Sequence, residues 1–345
     1  MKSMKLTGLL QMKMMDTPKP KIENNNDVLI KMKTVGICGS DVHYYTSGKI
    51  GSQVVEYPFT VGHEGAGVVE AIGANVKTVK AGSRIAIEPA MHCGECDQCK
   101  AGRPHTCRKL NFLGCPQQVE GCLSEYIVLP EHCCLPISDA MTFDQAAISE
   151  PLAIGLYAVK LSMPMLGSSI GVLGAGPIGE SVLLSAIAMG AGEIFVTDKI
   201  DERLTLAKQN GAFWIGNPSK EDIVASISEQ EPLLLDVVFE CCGQQEALDQ
   251  AIDILKPGGK LMIIGIPEFD RWSLSADKIR RKEICIQSVR RQNHCTIDAL
   301  DLMREGVINV DNWVTHRFKF KDTKAAFDLV TAYKDGVLKA MIDFD

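Results

Sequence analysis

The sequence lacks a surplus of positive charge. Its 345 residues carry 36 Lys and Arg against 43 Asp and Glu, a formal net charge of −7. The one basic cluster, KIRRKE at 278–283 with Arg290 and Arg291 beyond it, is too short to reverse that balance. A partner that must be neutralised phosphate by phosphate is therefore excluded, and no nucleic acid is expected. The opening stretch, MKSMKLTGLLQMKMMDTPKP, has no continuous apolar core and no small-residue cleavage site. The expectation is no signal peptide and a cytoplasmic location. No apolar run approaches the roughly 20 residues that span a bilayer, so no membrane partner is expected. Internal repeats and low-complexity segments are absent as well. Cysteine, by contrast, is plentiful, with thirteen residues. In a reducing compartment these read as metal ligands or small buried hydrophobes rather than as a disulfide framework.

The length allows one large or two medium domains, and a composition of 46% apolar and 23% charged residues is that of an ordinary globular protein. From 28 to 128, short apolar runs (VLIKMKTVGI, AGVVEAIG, SRIAIEPA, SEYIVLP) alternate with Gly, Pro and Asn, which predicts a β-rich, irregular region. From about 153 the pattern changes. AIGLYAVKLSMPM reads as a helix, SIGVLGAG as a buried strand, PIGESVLLSAIAMG as a helix, and strands and helices then alternate to about 289. That alternation predicts βαβ units around a parallel sheet. The expected division is a β-rich domain over 1–152, a doubly wound domain over 153–289, and a return to the first domain over 290–345.

GVLGAGPIGE puts Gly174, Gly176 and Gly179, with Pro177 and Ile178 between them, after a strand and at the start of a helix. Asp198 ends the next strand. This is the dinucleotide-binding context: glycines for the turn and the close approach of pyrophosphate, and free N–H groups at the helix start. Asp198 would accept the adenosine ribose hydroxyls and repel a 2′-phosphate, so NAD is expected over NADP. Arg203 either helps hold that ribose or is a solvated helix charge.

Cys93, Cys96, Cys99 and Cys107 follow a C-x2-C-x2-C-x7-C spacing. Four thiolates suit tetrahedral zinc and leave no open position, which makes the site structural. An iron–sulfur cluster is the rival, but the last gap is long and no Pro follows Cys107. Elsewhere, Cys38 follows a strand between two glycines, His63 and Glu64 follow Gly62, and Glu150 opens EPLAIG. Each alone reads as a buried thiol, a bonded core histidine or a surface acid. A thiolate, an imidazole and a carboxylate are nevertheless the donor types of a zinc site that leaves a position for water or substrate.

The sequence of motifs, CGSDVH, GHE about twenty-four residues on, the four-cysteine loop, Glu150-Pro151 and GAGPIG, resembles the zinc-dependent medium-chain alcohol dehydrogenases over essentially the whole chain. Within them GICGSDVHYY, GKIG, GHEGAGVVEAIG, EPLAIG and VTHRF are similar to the polyol (sorbitol, L-iditol) branch. The resemblance implies an α/β fold, a GroES-like β-rich catalytic domain around an inserted Rossmann domain, with the active site in the cleft between them. It implies two zinc ions per subunit: a structural one in the four-cysteine loop and a catalytic one on Cys38, His63 and Glu64, with Glu150 as a further ligand or close partner. It implies Ser40 and His43 as a proton relay, with Tyr44, Phe112 and Arg291 near substrate. The chain departs from the branch at Cys115-Pro116-Gln117 and at Gln292, both near the implied substrate pocket. The expected activity is hydride transfer from a secondary alcohol of a polyol to NAD+ in a homo-oligomer, dimer or tetramer. The alternatives are a threonine, hexonate or sugar-phosphate dehydrogenase of the same family, or a zinc and NAD-binding sensor without catalysis. A zinc-module nucleic-acid binder fails on charge and on the lack of a Cys/His finger pattern.

Overall fold

Asp27–Gly36 is rich in apolar residues, and Val28, Leu29, Ile30, Met32 and Val35 are inside. This strand organises the first of two units seen in the computed structural model, which describes residues 1–344. The units are Met1–Glu150 with Thr296–Asp345, and Pro151–Cys295.

The first unit is built on a seven-stranded sheet. From one edge the order is Cys134–Pro136, Arg84–Ile87, Glu64–Ile72, Asp27–Gly36, Lys339–Asp343 and Val314–Lys319, and Tyr126–Pro130 also pairs with Asp27–Gly36. In this register Gly36 is paired with Glu64 on one side and with Met341 on the other. The end of the central strand is thus flanked by the start of one strand and the body of the last. Leu6, Ile30, Met32, Tyr45, Val61 and Phe327 belong to the core beneath it, where Tyr45 meets Phe327 edge to face at 5.3 Å.

The second unit is a parallel sheet in the order Trp214–Gly216, Ile194–Thr197, Ile170–Leu173, Leu235–Glu240, Leu255–Ile263, Cys285–Ser288. The strand first in sequence lies inside and the order reverses beside it, as in doubly wound nucleotide-binding folds. The inner strands Ile170–Leu173, Ile194–Thr197 and Leu235–Glu240 are buried on both faces, which is why they are nearly continuous apolar runs. Ile170, Val172, Val196 and Phe239 belong to one cluster, and Leu173, Phe195, Val238 and Leu261 to another.

The helix Phe143–Ser162 differs from the sequence reading, which began it near Ala153. It contains Pro151, which lacks an N–H and reads as a break. Burial overrides that local signal: Ala146, Ala147 and Ile148 are at most 2% exposed ahead of the proline. No helix among the described residues is long and apolar enough to cross a membrane.

Candidate functional site

Cys96 precedes the short turn of helix Asp97–Lys100, and this turn folds the loop back so that four sulfurs converge. The Sγ–Sγ distances are 3.4 Å (Cys93–Cys107), 3.6 Å (Cys96–Cys99), 3.8 Å (Cys96–Cys107) and 4.0 Å (Cys93–Cys99). Four thiolates at zinc–sulfur bond length around one ion would be about 3.8 Å apart, so zinc fits. All four are free thiols. Backbone amides of Cys99 and Arg108 hold the Cys96 thiol down to about 6, while desolvation and the neighbouring thiols push Cys99 up to about 12. The set is closed by its own four donors.

The second cluster assembles from distant residues. Cys38 stands at the start of the helix Gly39–Ser47, His63 lies just before the strand Glu64–Ile72, and Glu64 begins it. One ligand atom from each of Cys38, His63 and Glu64 lies within 4.8 Å of the others. Asp41, buried and in the first turn of that helix, ties the parts together. Its Oδ2 accepts the Cys38 amide at 3.2 Å, its Oδ1 accepts the Gly62 amide at 3.1 Å, and Oδ1 stands 3.5 Å from His63 Nδ1. A carboxylate on Nδ1 fixes the ring and leaves Nε2 for an ion, the usual support of a metal-bound histidine. Burial works against a charged His63, but the Asp41 carboxylate and Cys38 sulfur hold its proton affinity well above the ordinary value. Thiolate, imidazole and carboxylate suit zinc, and three donors leave a fourth position open.

Glu150 is not among those three donors, although it is buried and close enough to interact with them. Burial pushes it up to about 7, with His63 and Lys339 opposing the shift and Glu64 and Glu88 adding to it. Phe112 packs its ring against His63 at 5.3 Å. Tyr44 joins a small polar group in which its hydroxyl reaches Gln53 Oε1 at 3.3 Å and Cys115 Sγ at 3.8 Å, and Gln53 Nε2 donates to Cys115 Sγ at 2.7 Å. Ser40 and His43 are half-buried on the helix Gly39–Ser47, three residues apart and so on one face. Sequence reasoning missed Asp41, Gln53 and Lys339. Asp41 had a signal, an acid three residues after the cap residue Cys38. So did Lys339, the one charge inside VLKAMI.

In the second unit the glycine turn leads from Ile170–Leu173 into the helix Pro177–Ala188, with Gly176 as its N-cap. A Cβ at Gly179 would collide with the carbonyl oxygen of Gly174, so the helix packs on the turn only with glycine there. Asp198 braces the same turn: Oδ2 accepts the Ala175 amide at 2.7 Å and Oδ1 the Ile200 amide at 2.8 Å. Arg203 is buried, and its guanidinium lies 3.5 Å from where a Cβ of Gly176 would stand. It belongs to the helix Asp201–Gln209 and packs against the turn rather than standing in solvent. Arg291, also in this unit, is half-buried with a left-handed backbone, φ 53°, and the buried Gln292 beside it accepts the Cys295 amide at 2.7 Å.

Residues 24–139 match the alcohol dehydrogenase GroES-like domain family and residues 177–305 the zinc-binding dehydrogenase family. A sorbitol dehydrogenase of Bacillus subtilis is 36% identical over 99% of this chain and 97% of its own. The chain belongs to the zinc-binding alcohol dehydrogenases. Among other relatives of this dehydrogenase, an L-idonate 5-dehydrogenase of Vitis vinifera is 32% identical over 92% of this chain and 88% of its own. In fold it matches an Escherichia coli oxidoreductase/dehydrogenase of unknown specificity, with TM-score 0.94 and 32% identity over 100% of this chain and 99% of that one. As a family member the dehydrogenase is an oxidoreductase that uses zinc and a nicotinamide cofactor, and within the family it is similar to the sorbitol dehydrogenase branch.

Proposed function

We propose that this protein oxidises a secondary hydroxyl of a polyol, such as sorbitol, xylitol or L-iditol, with NAD+ as hydride acceptor. The observation that carries the reading is the open set Cys38, His63 and Glu64, with His63 and Glu64 buried and the set braced by Asp41, on a chain similar to sorbitol dehydrogenase over nearly its whole length. These three residues would hold a catalytic zinc and the four-cysteine loop a structural one, two per subunit. An ion held by Cys38, His63 and Glu64 would supply Lewis acidity toward a substrate hydroxyl.

The chain's own residues do the rest. Asp41 keeps His63 in the tautomer and orientation that face the ion. Phe112 covers the His63 ring and keeps water from it. Ser40 and His43, on one face of a helix, pass the substrate proton toward solvent. Tyr44, Gln53 and Cys115 offer polar atoms to further hydroxyls of a polyol, and Arg291 is proposed as a substrate contact. Glu150 serves as a further ligand or partner of the centre. Gly174 through Gly179 receive the pyrophosphate, while Asp198 takes the adenosine ribose with Arg203 and disfavours a 2′-phosphate. The working protein is proposed to be a cytoplasmic homo-oligomer, a dimer or tetramer.

The L-idonate relative supports a second reading, a hexonate as substrate. The test is NADH formation by zinc-replete protein over sorbitol, xylitol, L-iditol, galactitol, L-idonate, L-threonine and galactitol 1-phosphate, repeated with NADP+. A free polyol with NAD+ is expected to lead by at least about tenfold in kcat/KM, roughly 1.4 kcal/mol in the transition state. A lead by the acid, the amino acid or the phosphate would overturn the substrate assignment.

A further inference from the structure

One buried charge takes no part in that chemistry. Lys339 opens the strand Lys339–Asp343, and its side chain is 1% exposed. Its ammonium donates to Glu64 Oε2 at 2.6 Å and to the Ile37 carbonyl at 3.2 Å. Glu64 is equally dry, with a side chain 2% exposed. The sheet register explains the meeting: Gly36 pairs with Glu64 and with Met341 on its two sides. The space is made for it. A Cβ at Gly36 would stand 2.5 Å from Glu64 Oε2 and 3.4 Å from Lys339 Cδ. An ammonium is kept out of water only where partners replace its hydration, and removal of one partner leaves the other charge buried and uncompensated.

Glu64 is therefore offered to two cations, the ammonium and an ion held with Cys38 and His63. We propose that Lys339 is a positioning residue that holds the Glu64 carboxylate in place and competes with the metal for it. The proposal rests on Cys38, His63 and Glu64 being a metal centre. Oε2 is anchored by Lys339, which fixes where the carboxylate stands. The same bond draws charge from the metal side, so each cation weakens the other's hold. The coupling is antagonistic and has a sign that can be measured.

The test uses the full chain and Lys339→Met, loaded with Zn2+ or Co2+, with the four-cysteine ion as internal control. Release of metal into a chelator, the visible spectrum of the Co2+ form, and melting with and without the metal are recorded. Without the lysine, Glu64 has only the metal to satisfy it. Release is expected to slow on the order of tenfold. The gain in melting temperature on metal loading should exceed that of wild type, the Co2+ spectrum should shift, and the loop ion should be unaffected. Equal or faster release, with equal stability losses in both forms, would make Lys339 a structural ion pair only and overturn the proposal. Should Lys339→Met not fold, Glu64→Gln is compared with Glu64→Gln/Lys339→Met, which removes both charges of the buried pair. Without the carboxylate the lysine has no ligand to compete for and acts on Cys38 and Glu150 only through space, so the two should differ in release by much less than about tenfold. An effect of Lys339 as large as about tenfold there would also overturn it. A wild-type chain that takes up no ion beyond that of the loop would overturn the centre itself and the proposal with it.

Discussion

Four cysteines within fifteen residues make one cluster, and residues 38, 63 and 64, together with a brace at 41, make the other. The first is half-exposed and ringed by surface ion pairs, Arg108 to Asp97 at 2.5 Å and Lys109 to Glu95 at 2.7 Å, of a kind that contributes little. The second is set among residues such as His63 and Glu64, 5% and 1% exposed. The loop supplies its own fourth donor and the buried set does not. On the proposed reading, donor count and burial divide the labour: the saturated, local set would hold a loop, and the three-donor set with its buried His63 and Glu64 would be left for chemistry.

The sharpest way to break this comparison is to remove one ligand from each cluster. Cys38→Ala is expected to lower kcat/KM by roughly a thousandfold or more while melting changes little, because several kcal/mol of Lewis-acid stabilisation are lost. Turnover and melting curves check it. Cys96→Ser should do the reverse. Its melting temperature should fall on the order of 10 °C, and the folded fraction should keep most of its activity. If both variants lost activity and stability in the same proportion, the division of labour would be wrong.

A buried acid in the second unit extends the comparison to carboxylates. Glu64 faces a cation, whereas Glu180 faces no cation but accepts from the neutral Asn210 amide at 2.7 Å with the Asp198 charge nearby, and its Oε1 has no hydrogen-bond partner among the described residues. Burial pushes Glu180 up to about 7 from 4.5. A raised acid contributes stability that is fully present below about pH 4.5 and is lost as pH rises through about 7. At 1.36 kcal/mol per unit this amounts to about 3 kcal/mol. Glu180→Gln should remove that dependence, so its stability relative to wild type grows from pH 5 to pH 8 in denaturant titrations. A constant difference would place the proton elsewhere. The smallest effect concerns the brace. Asp41→Asn keeps the shape and loses the charge, and should weaken metal binding or turnover about 10- to 100-fold. Metal titration of the stripped protein measures it.

The same contrast explains what could be read from sequence. The loop's geometry is local, so its C-x2-C-x2-C-x7-C spacing already described the cluster. The parallel sheet was legible because its inner strands are buried on both faces and read as apolar runs between helices. The short edge strands Trp214–Gly216 and Cys285–Ser288 were missed, since three or four residues carry little pattern. The helix Gly39–Ser47 was hidden in CGSDVHYYTS, where β-branched and aromatic residues weaken the helix signal and Cys38 stands at the cap position. Sequence alone could not bring Cys38 to His63 and Glu64, because that depends on the register of Asp27–Gly36 with its two neighbours. Resemblance supplied the grouping, and the sheet supplies its physical cause. Lys339 was missed for the same reason: its partner is 275 residues away.

The most direct test of this division of labour is timed removal of metal from the whole protein by a chelator, with zinc content, turnover and circular dichroism followed together. Two ions per chain are expected. Activity should vanish with the ion bound by Cys38, His63 and Glu64 while the fold and the loop ion persist, and one equivalent of zinc should restore it. Activity that survives loss of that ion, or that falls only when the four-cysteine loop is emptied, would contradict it.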